Sequence, residues 1–385
     1  MRFPTLEQAF QPLICKGSGF ERGRIQGSSF QKPLQLCFNA LLQSETTRLF
    51  MPRFWPESWA RRQLFWQSRL QFQAPLQKTH PDFAAHLQGL AAGAELPENL
   101  FFFLLQFERL LSRLHFQMHT GLILMVPPRF SATQEPMLLH NLDHPYFLKA
   151  FGLFRQSEPD QGLRSLEMTL LPMSGTYTGM NEAGLAIAVN AGFQQQANSS
   201  PFPLSLKIQQ LLQQCEKVSE AISALQTQDY QGGGLVALMD RQGDMALVES
   251  ANGKFAVRPV KDQLLMVSNH YQITEMLSEN IPVNAYFSLR KNLASFAGKR
   301  VREASESRLD RIAQLMGTRV HFHAEDLLDY ARDHGDIQQA CDNTICRHGS
   351  YYETTYSALM QPRSRRLWLT LETPCEQAHQ VYQWY

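Results

Sequence analysis

Near residue 115 the sequence changes its period, and that change constrains the fold more than any single motif. Before it, apolar residues recur at helical spacing: Leu36, Ala40, Leu41 and Leu49 in one segment, then Trp55, Trp59, Trp66 and Leu70 in the next. The piece THPDFAAHLQGLAAGAELPENLFFFLLQFERLLSRLHF reads as helix, Gly-rich break and helix, with Thr79 and Pro97 where helix starts would put them. After residue 115 come short apolar runs separated by turn residues: HTGLILMV, PMLLHNLD, SLEMTLLPM, GLAIAVNAG, GGLVALMD, DMALVESAN, KFAVRPV and QLLMVSNH. Helical blocks interrupt them at LSLKIQQLLQQCEKVSEAISAL and at SRLDRIAQLM through AEDLLDYARDH. Many buried strands with helices in separate blocks predict a layered α+β protein. The end, WLTLETPCEQAHQVYQWY, reads as a core strand and a closing helix.

Composition narrows the function classes. A chain of 385 residues, 44% of them hydrophobic, can bury a large core. Its 36 basic and 35 acidic residues create no overall field toward nucleic acid or anionic lipid, so neither is an expected partner. The start lacks the features of a signal peptide and no apolar run is long enough to span a bilayer, which makes a cytoplasmic protein the expectation. The six cysteines include no Cys-x-x-Cys, so no zinc knuckle or redox pair is expected and they read as small buried residues. The basic and aromatic segment RLFMPRFWPESWARRQLFWQSRLQFQ reads as an amphipathic helix with its Trp side on the core and its Arg side in water. Gly232-Gly233-Gly234 opens no helix and precedes no Lys-Ser/Thr, so it is not a phosphate loop. GFQQQANSSPFP, residues 192–203, reads as a loop or lid.

The chemistry-bearing segments come in a characteristic order. MHTGL begins a strand, HNLD closes the next, and SGTYTGMNEAGLAIAVNAG, VSNHY, SRLDR and NTICRHGSYYETTYSALM follow. This order, with the early GSGFERGRIQG, resembles the N-terminal-nucleophile amidohydrolases, specifically the isopenicillin-N acyltransferase group and the related choloylglycine and penicillin V acylases. The resemblance implies a four-layer αββα sandwich over residues 118–385, preceded by a helical segment, residues 1–117, similar to the acyltransferase α-subunit. It implies hydrolysis of an N-acyl group or its transfer to an amine. The partner would be a small N-acyl compound or an acyl donor such as acyl-CoA, with no organic cofactor.

In such a family a Cys opens the first core strand, and its freed α-amine is the base for its own thiol. By motif, Asp143 would hold that amine, Asn190 and Asn269 would line the oxyanion pocket, and Arg308 would support the site. His140, Asn141, Asn181, His270 and Arg311 are the candidates for contacting substrate, although Asn181 also suits a tight turn.

The nucleophile position departs from the pattern, because His119 stands where the family has Cys. Imidazole cannot run the acyl shift that cuts the chain, so an uncut protein is expected. Close to Asp143, His119 would form an acid-base pair. Thr120 offers a hydroxyl, but strand alternation should turn it to the opposite face from residue 119. His115, His119, His140, Asp143 and His144 are zinc ligand types, which leaves a metal reading open. Two functions remain: an amide-bond enzyme with altered catalysis, or a catalytically silent relative that binds an acyl ligand.

Overall fold

The computed structural model describes residues 11–51, 54–112, 114–194, 202–227, 230, 233–289, 293–335 and 340–384. Its strands are β1 (Leu13–Gly17), β2 (Thr120–Val126), β3 (Met137–Pro145), β4 (Gly152–Pro159), β5 (Ser165–Leu170), β6 (Thr178–Asn181), β7 (Ala186–Ala191), β8 (Gly234–Met239), β9 (Met245–Ala251), β10 (Lys254–Pro259), β11 (Leu265–Val267), β12 (Tyr352–Gln361), β13 (Arg366–Thr370) and β14 (Gln380–Gln383). Among the described residues they form two sheets, ordered β1-β4-β5-β6-β7-β8-β9-β10 and β11-β2-β3-β12-β13-β14. Every pairing is antiparallel except that of β1 with β4. The sheets face each other where β2 and β3 meet β7.

Helices cover the outer faces. Helices α1 (Gly19–Ser29), α2 (Gln31–Gln43), α3 (Glu45–Leu49), α4 (Glu57–Thr79), α5 (Pro81–Ala94) and α6 (Glu98–Ser112) precede β2. Helices α7 (Leu204–Gln214) and α8 (Val218–Leu225) pack on the larger sheet, while α9 (Glu303–Met316) and α10 (Ala324–Ala331) pack on the smaller one. The result is the layered α+β protein that the strand and helix blocks predicted, in the αββα arrangement that the family resemblance implied.

The β2–β3 hairpin shows why nearly all its residues are buried. Ile123 and Met125 point into the core between the sheets, whereas Leu122, Leu124, Val126 and Leu139 join Ile312, Met316 and Leu327 beneath α9 and α10. A strand covered on both faces loses the apolar-polar alternation of a half-exposed one and reads as a continuous apolar run. Polar residues on such a hairpin therefore stand out, and each must find its partner inside.

The first residues are woven into the larger sheet through β1, and α1 begins with a capping box between Ser18 and Glu21. Helix α1 then crosses α5 at backbone contact. A Cβ at Gly23 would lie 2.0 Å from the His86 carbonyl oxygen, and one at Gly89 would lie 2.0 Å from that of Phe20. Only glycine permits this approach.

Several sequence expectations are corrected. On α4 the buried stripe is Ala60, Leu64, Ser68, Phe72 and Leu76, while Trp55, Trp59, Trp66 and Leu70 are half or more exposed. The Trp side thus faces water, because Ala60, Leu64, Ser68, Phe72 and Leu76, each four residues from the next, form the stripe that packs on α6. In α2 the buried side is Leu34, Cys37, Phe38 and Leu41, not Leu36. Thr79 ends α4 rather than starting a helix, and Pro81 opens α5. The chain end forms β14 beside β13 instead of a helix. Residues 195–201 of the expected loop or lid lie outside the described residues.

Candidate active site

Register decides which polar groups meet. Thr120 stands directly opposite Asp143 in the β2–β3 pairing, so both side chains share the face toward α9. Thr120 Oγ1 donates to Asp143 Oδ2 at 3.1 Å and accepts from Arg347 Nη1 at 3.0 Å. Asp143 is wholly buried; Oδ2 also accepts from Arg308 Nη1 at 2.7 Å, and Oδ1 accepts from Thr354 Oγ1 at 2.9 Å. Arg347 lies 3.6 Å from the same carboxylate and is held by Asp342 at 3.0 Å. Two guanidinium ions and two carboxylates thus balance in charge around one hydroxyl, as buried ions must. Burial pushes Arg308 down to about 10, with Asp143 opposing the shift, so it remains charged at neutral pH.

Beside this cluster lies a cavity of about 180 Å³ lined by Phe193, Phe287, Phe296, Tyr352, Lys299, Arg300 and Glu303, which the cluster reaches through Arg308, Arg347 and Asp342, while Thr120 and Asp143 lie behind the two arginines, outside its lining. Asn269 joins the cluster through its side-chain oxygen Oδ1, which accepts from Arg308 Nη2 at 2.8 Å and from the Gly121 N–H at 3.3 Å. His270 borders the cavity through Ser305, whose hydroxyl is 2.8 Å from Nδ1. Burial, then Arg302 and Arg308, lower His270 to about 4 and keep it neutral.

The opposite face of the hairpin carries His119, His140 and His144. His140 Nε2 lies 3.1 Å from Asn190 Oδ1 and Nδ1 lies 2.6 Å from Thr178 Oγ1, which assigns the ring proton to Nε2 because an amide carbonyl only accepts. His119 stacks on Tyr177 with ring centroids 3.7 Å apart, and neither of its ring nitrogens has a hydrogen-bond partner among the described residues. Burial lowers His140 to about 4 and His144 to about 3, and drives His119 well below its ordinary value with help from the other two. All three imidazoles are neutral at pH 7.

The expected His119–Asp143 pair is therefore absent: residue 119 and the carboxylate lie on opposite faces, and it is Thr120 that meets Asp143. The same alternation separates Asp143 from His140 and His144 and breaks up the expected zinc set. Neither Asn190 nor Asn269 has an amide donor directed at a substrate. Asn190 Nδ2 donates to the carbonyls of Ser268 and Val267, and Asn269 Nδ2 to that of Ala191. Asn141 donates to the Ala331 carbonyl under α10. Asn181 ties the end of α7 to its turn through Leu212 and Cys215, and Arg311 makes a two-pronged pair with Asp333. The structure thus gathers Thr120, Asp143, Asn269, His270 and Arg308 near the cavity and puts the other candidates elsewhere. Arg347 is the addition; the CRH in NTICRHGS was its only signal, and the fold alone brings it 227 positions back to Thr120.

The sequence profile of the family described as acyl-coenzyme A:6-aminopenicillanic acid acyl-transferase matches residues 131–376. No curated protein matches the sequence. Among solved structures the chain is similar to an N-acylethanolamine-hydrolyzing acid amidase ortholog of Caenorhabditis elegans, at 12% identity and TM-score 0.41, covering 63% of this chain and 93% of that one. It is also similar to a mutant conjugated bile acid hydrolase of Clostridium perfringens, at 12% identity and TM-score 0.37, covering 69% and 97%. A penicillin V acylase of Agrobacterium tumefaciens gives 16% identity and TM-score 0.36, covering 65% and 82%.

Proposed function

Because the chain belongs to the acyl-coenzyme A:6-aminopenicillanic acid acyl-transferase family, we propose that it acts on amide bonds, cleaving an N-acyl group or transferring it to an amine, with the Thr120 hydroxyl taking the role of the absent cysteine thiol. One observation carries this reading: the hydroxyl sits between a carboxylate placed to take its proton, at 3.1 Å, and a guanidinium donating to its oxygen, at 3.0 Å.

The step follows from that geometry. Thr120 Oγ1 bonds to the acyl carbon while its proton passes to Asp143. The C–N bond then breaks as the departing amine takes up that proton, which leaves an ester on Thr120. Water or an acceptor amine cleaves the ester and restores the hydroxyl. The negative charge on the tetrahedral oxygen falls beside Arg308 and Arg347, which replace the asparagine donors of the expected pocket. Phe193, Phe287 and Phe296 offer apolar surface to the acyl chain. At about 180 Å³ the cavity is smaller than the roughly 300–1,000 Å³ of drug-sized sites, and so suits a short acyl group. A carboxylate base makes a freed α-amine unnecessary, and the protein works as one uncut chain.

A second reading is favoured by the burial of Thr120, which is 0% exposed beneath the two arginines with its hydroxyl bonded as donor and as acceptor. On that reading the cavity binds an acyl ligand without turning it over. The deciding experiment incubates the full chain with short-chain and long-chain N-acyl amides and acyl thioesters and follows released amine and the mass of the Thr120 peptide. An acyl adduct on that peptide, lost in Thr120→Ala and kept in Thr120→Ser, supports the enzyme. No adduct or product, with a saturable rise in melting temperature that survives Thr120→Ala, selects the binding protein. Absence of both rejects the cavity as an acyl site.

A further inference from the structure

On the far side of Arg347 from Thr120, four metal-ligating side chains converge from three separate stretches of chain. His334 comes from the turn after α10, Cys346 and His348 from the segment leading into β12, and Cys375 from the turn after β13. One ligand atom of each lies within 4.8 Å of all the others. His348 Nε2 is 3.5 Å from Cys346 Sγ and 3.2 Å from Cys375 Sγ, and the rings of His334 and His348 meet edge to face at 5.3 Å. His334 Nε2 is buried without a hydrogen-bond partner among the described residues. None of the four takes part in the site described above.

We propose that His334, Cys346, His348 and Cys375 bind a zinc ion. Zinc–sulfur and zinc–nitrogen bonds of about 2.3 and 2.0–2.1 Å at tetrahedral angles put ligand atoms about 3.4–3.8 Å apart. The 3.5 and 3.2 Å separations of His348 Nε2 from Cys346 and Cys375 Sγ already match that range to within a few tenths of an ångström. Two thiolates and two imidazoles form a borderline-soft set that favours zinc over calcium or magnesium. Four protein ligands close the coordination sphere, so this zinc is structural and leaves no position for a substrate.

Its consequence for the cavity follows from alternation in an extended segment. Cys346 and His348 point to the metal, and Arg347 between them points the other way, to Thr120 and Asp342. The metal fixes both neighbours of Arg347 and thereby makes it a positioned group. Zinc binding by these four side chains does not depend on the proposed reaction. Cysteine spacing along the sequence gives no sign of such a site, because the ligands are brought together by the fold.

The test uses the full chain without a polyhistidine tag, with thiols reduced, reconstituted with zinc or cobalt(II) and freed of excess metal. Elemental analysis should give one zinc per chain, and the cobalt form should show intense tetrahedral ligand-field bands together with thiolate-to-cobalt charge transfer. Cys375→Ser, at an exposed position, and His334→Ala should each weaken zinc binding at least tenfold, with Cys215→Ser unchanged. The proposal is overturned by any of three results: no bound zinc in the reduced wild-type chain, a cobalt spectrum without thiolate bands, or unchanged zinc affinity in the Cys346→Ser Cys375→Ser double variant. A Cys346–Cys375 disulfide in freshly isolated protein would equally overturn it, since both thiols are free in the proposed site.

Discussion

The two faces of the β2–β3 hairpin solve the same problem in opposite ways. Toward α9, Thr120 and Asp143 sit among Arg308, Arg347 and Thr354, where every charge has an opposite charge and a hydrogen bond. Toward the other sheet, His119, His140 and His144 are kept neutral by burial, and His119 has no hydrogen-bond partner among the described residues. The first face is ionic and adjoins a cavity; the second is uncharged and packed. Reactive potential on this hairpin therefore follows the face on which a residue lies more than its chemical type, and a histidine at the head of the strand is sealed away from the carboxylate one residue along.

The sharpest way to break the ionic face is Asp143→Ala, which leaves two buried guanidinium ions without their shared partner. Removing one member of a buried pair costs roughly 3–5 kcal/mol. We expect a drop of that size in chemical-denaturation stability, or loss of soluble protein. A change below about 1 kcal/mol would mean that the carboxylate is not the centre of the cluster.

The uncharged face should reveal itself through pH. His140 and His144 take up protons at about 4 and about 3 when folded, against 6.5 for an unperturbed side chain, and His119 is shifted the same way. Between about pH 6.5 and 4 the unfolded chain binds more protons than the native one, so stability falls as pH falls through that window. The His140 and His144 shifts together amount to several kcal/mol, on the order of 1.4 kcal/mol for each pKa unit, and His119 acts in the same direction. Glu108, raised by burial to about 7 and accepting from Tyr177, acts in the opposite sense: it loses stability as pH rises from about 4.5 to 7. Three imidazoles outweigh one carboxyl, and melting temperature should decline on acidification. His140→Gln, which retains an amide for Asn190, should flatten that decline, and a pH profile no flatter than wild type would sink the assignment of neutral histidine.

A smaller effect is expected at Thr120. Thr120→Val removes the hydroxyl and leaves the Arg347 guanidinium one acceptor short, which costs about 1–3 kcal/mol for an orphaned buried group. On the enzyme reading turnover vanishes in this variant while Asp143 and both arginines stay in place. Turnover that persists would move the reaction away from this hydroxyl.

How much of this was legible beforehand also divides by face. The eight apolar runs from HTGLILMV to QLLMVSNH all contain strands, and in six of them, β10 and β11 aside, the strand is buried along its whole length and announces itself by composition. Strands β1, β4, β6, β12 and β14 were missed, since LICKG, GLFRQSEP, TGMN, YETTYSALMQ and QVYQ carry mixed or polar residues that only their place in a sheet explains. Alternation separated residues 119 and 120 correctly, but which of the two faces held Asp143 depended on the register of β2 against β3, and no local signal fixes that. Arg347 lies too far along the chain for any spacing argument. The Trp residues of α4 were misread because their size suggested a core, whereas the buried stripe is set by what fits between helices.

The smallest expected effect is the one that tests the comparison most directly. His119→Leu keeps the side-chain volume nearly constant and removes two nitrogens that have no hydrogen-bond partner among the described residues. It also gives up the stacking on Tyr177, whose worth beyond simple burial is about 0.5–1.5 kcal/mol. Against that stands the removal of an unpaired polar ring, which costs about 1–3 kcal/mol to bury. The two terms nearly cancel, so stability at pH 7 should change by less than about 1 kcal/mol. At pH 5 the variant should gain on wild type, because one of the proton-binding differences between folded and unfolded chains has gone. Turnover, if carried by Thr120, should be unaffected. A loss of more than about 2 kcal/mol would instead show that His119 has a partner in the folded state, and the strand head would again be the place to look for chemistry.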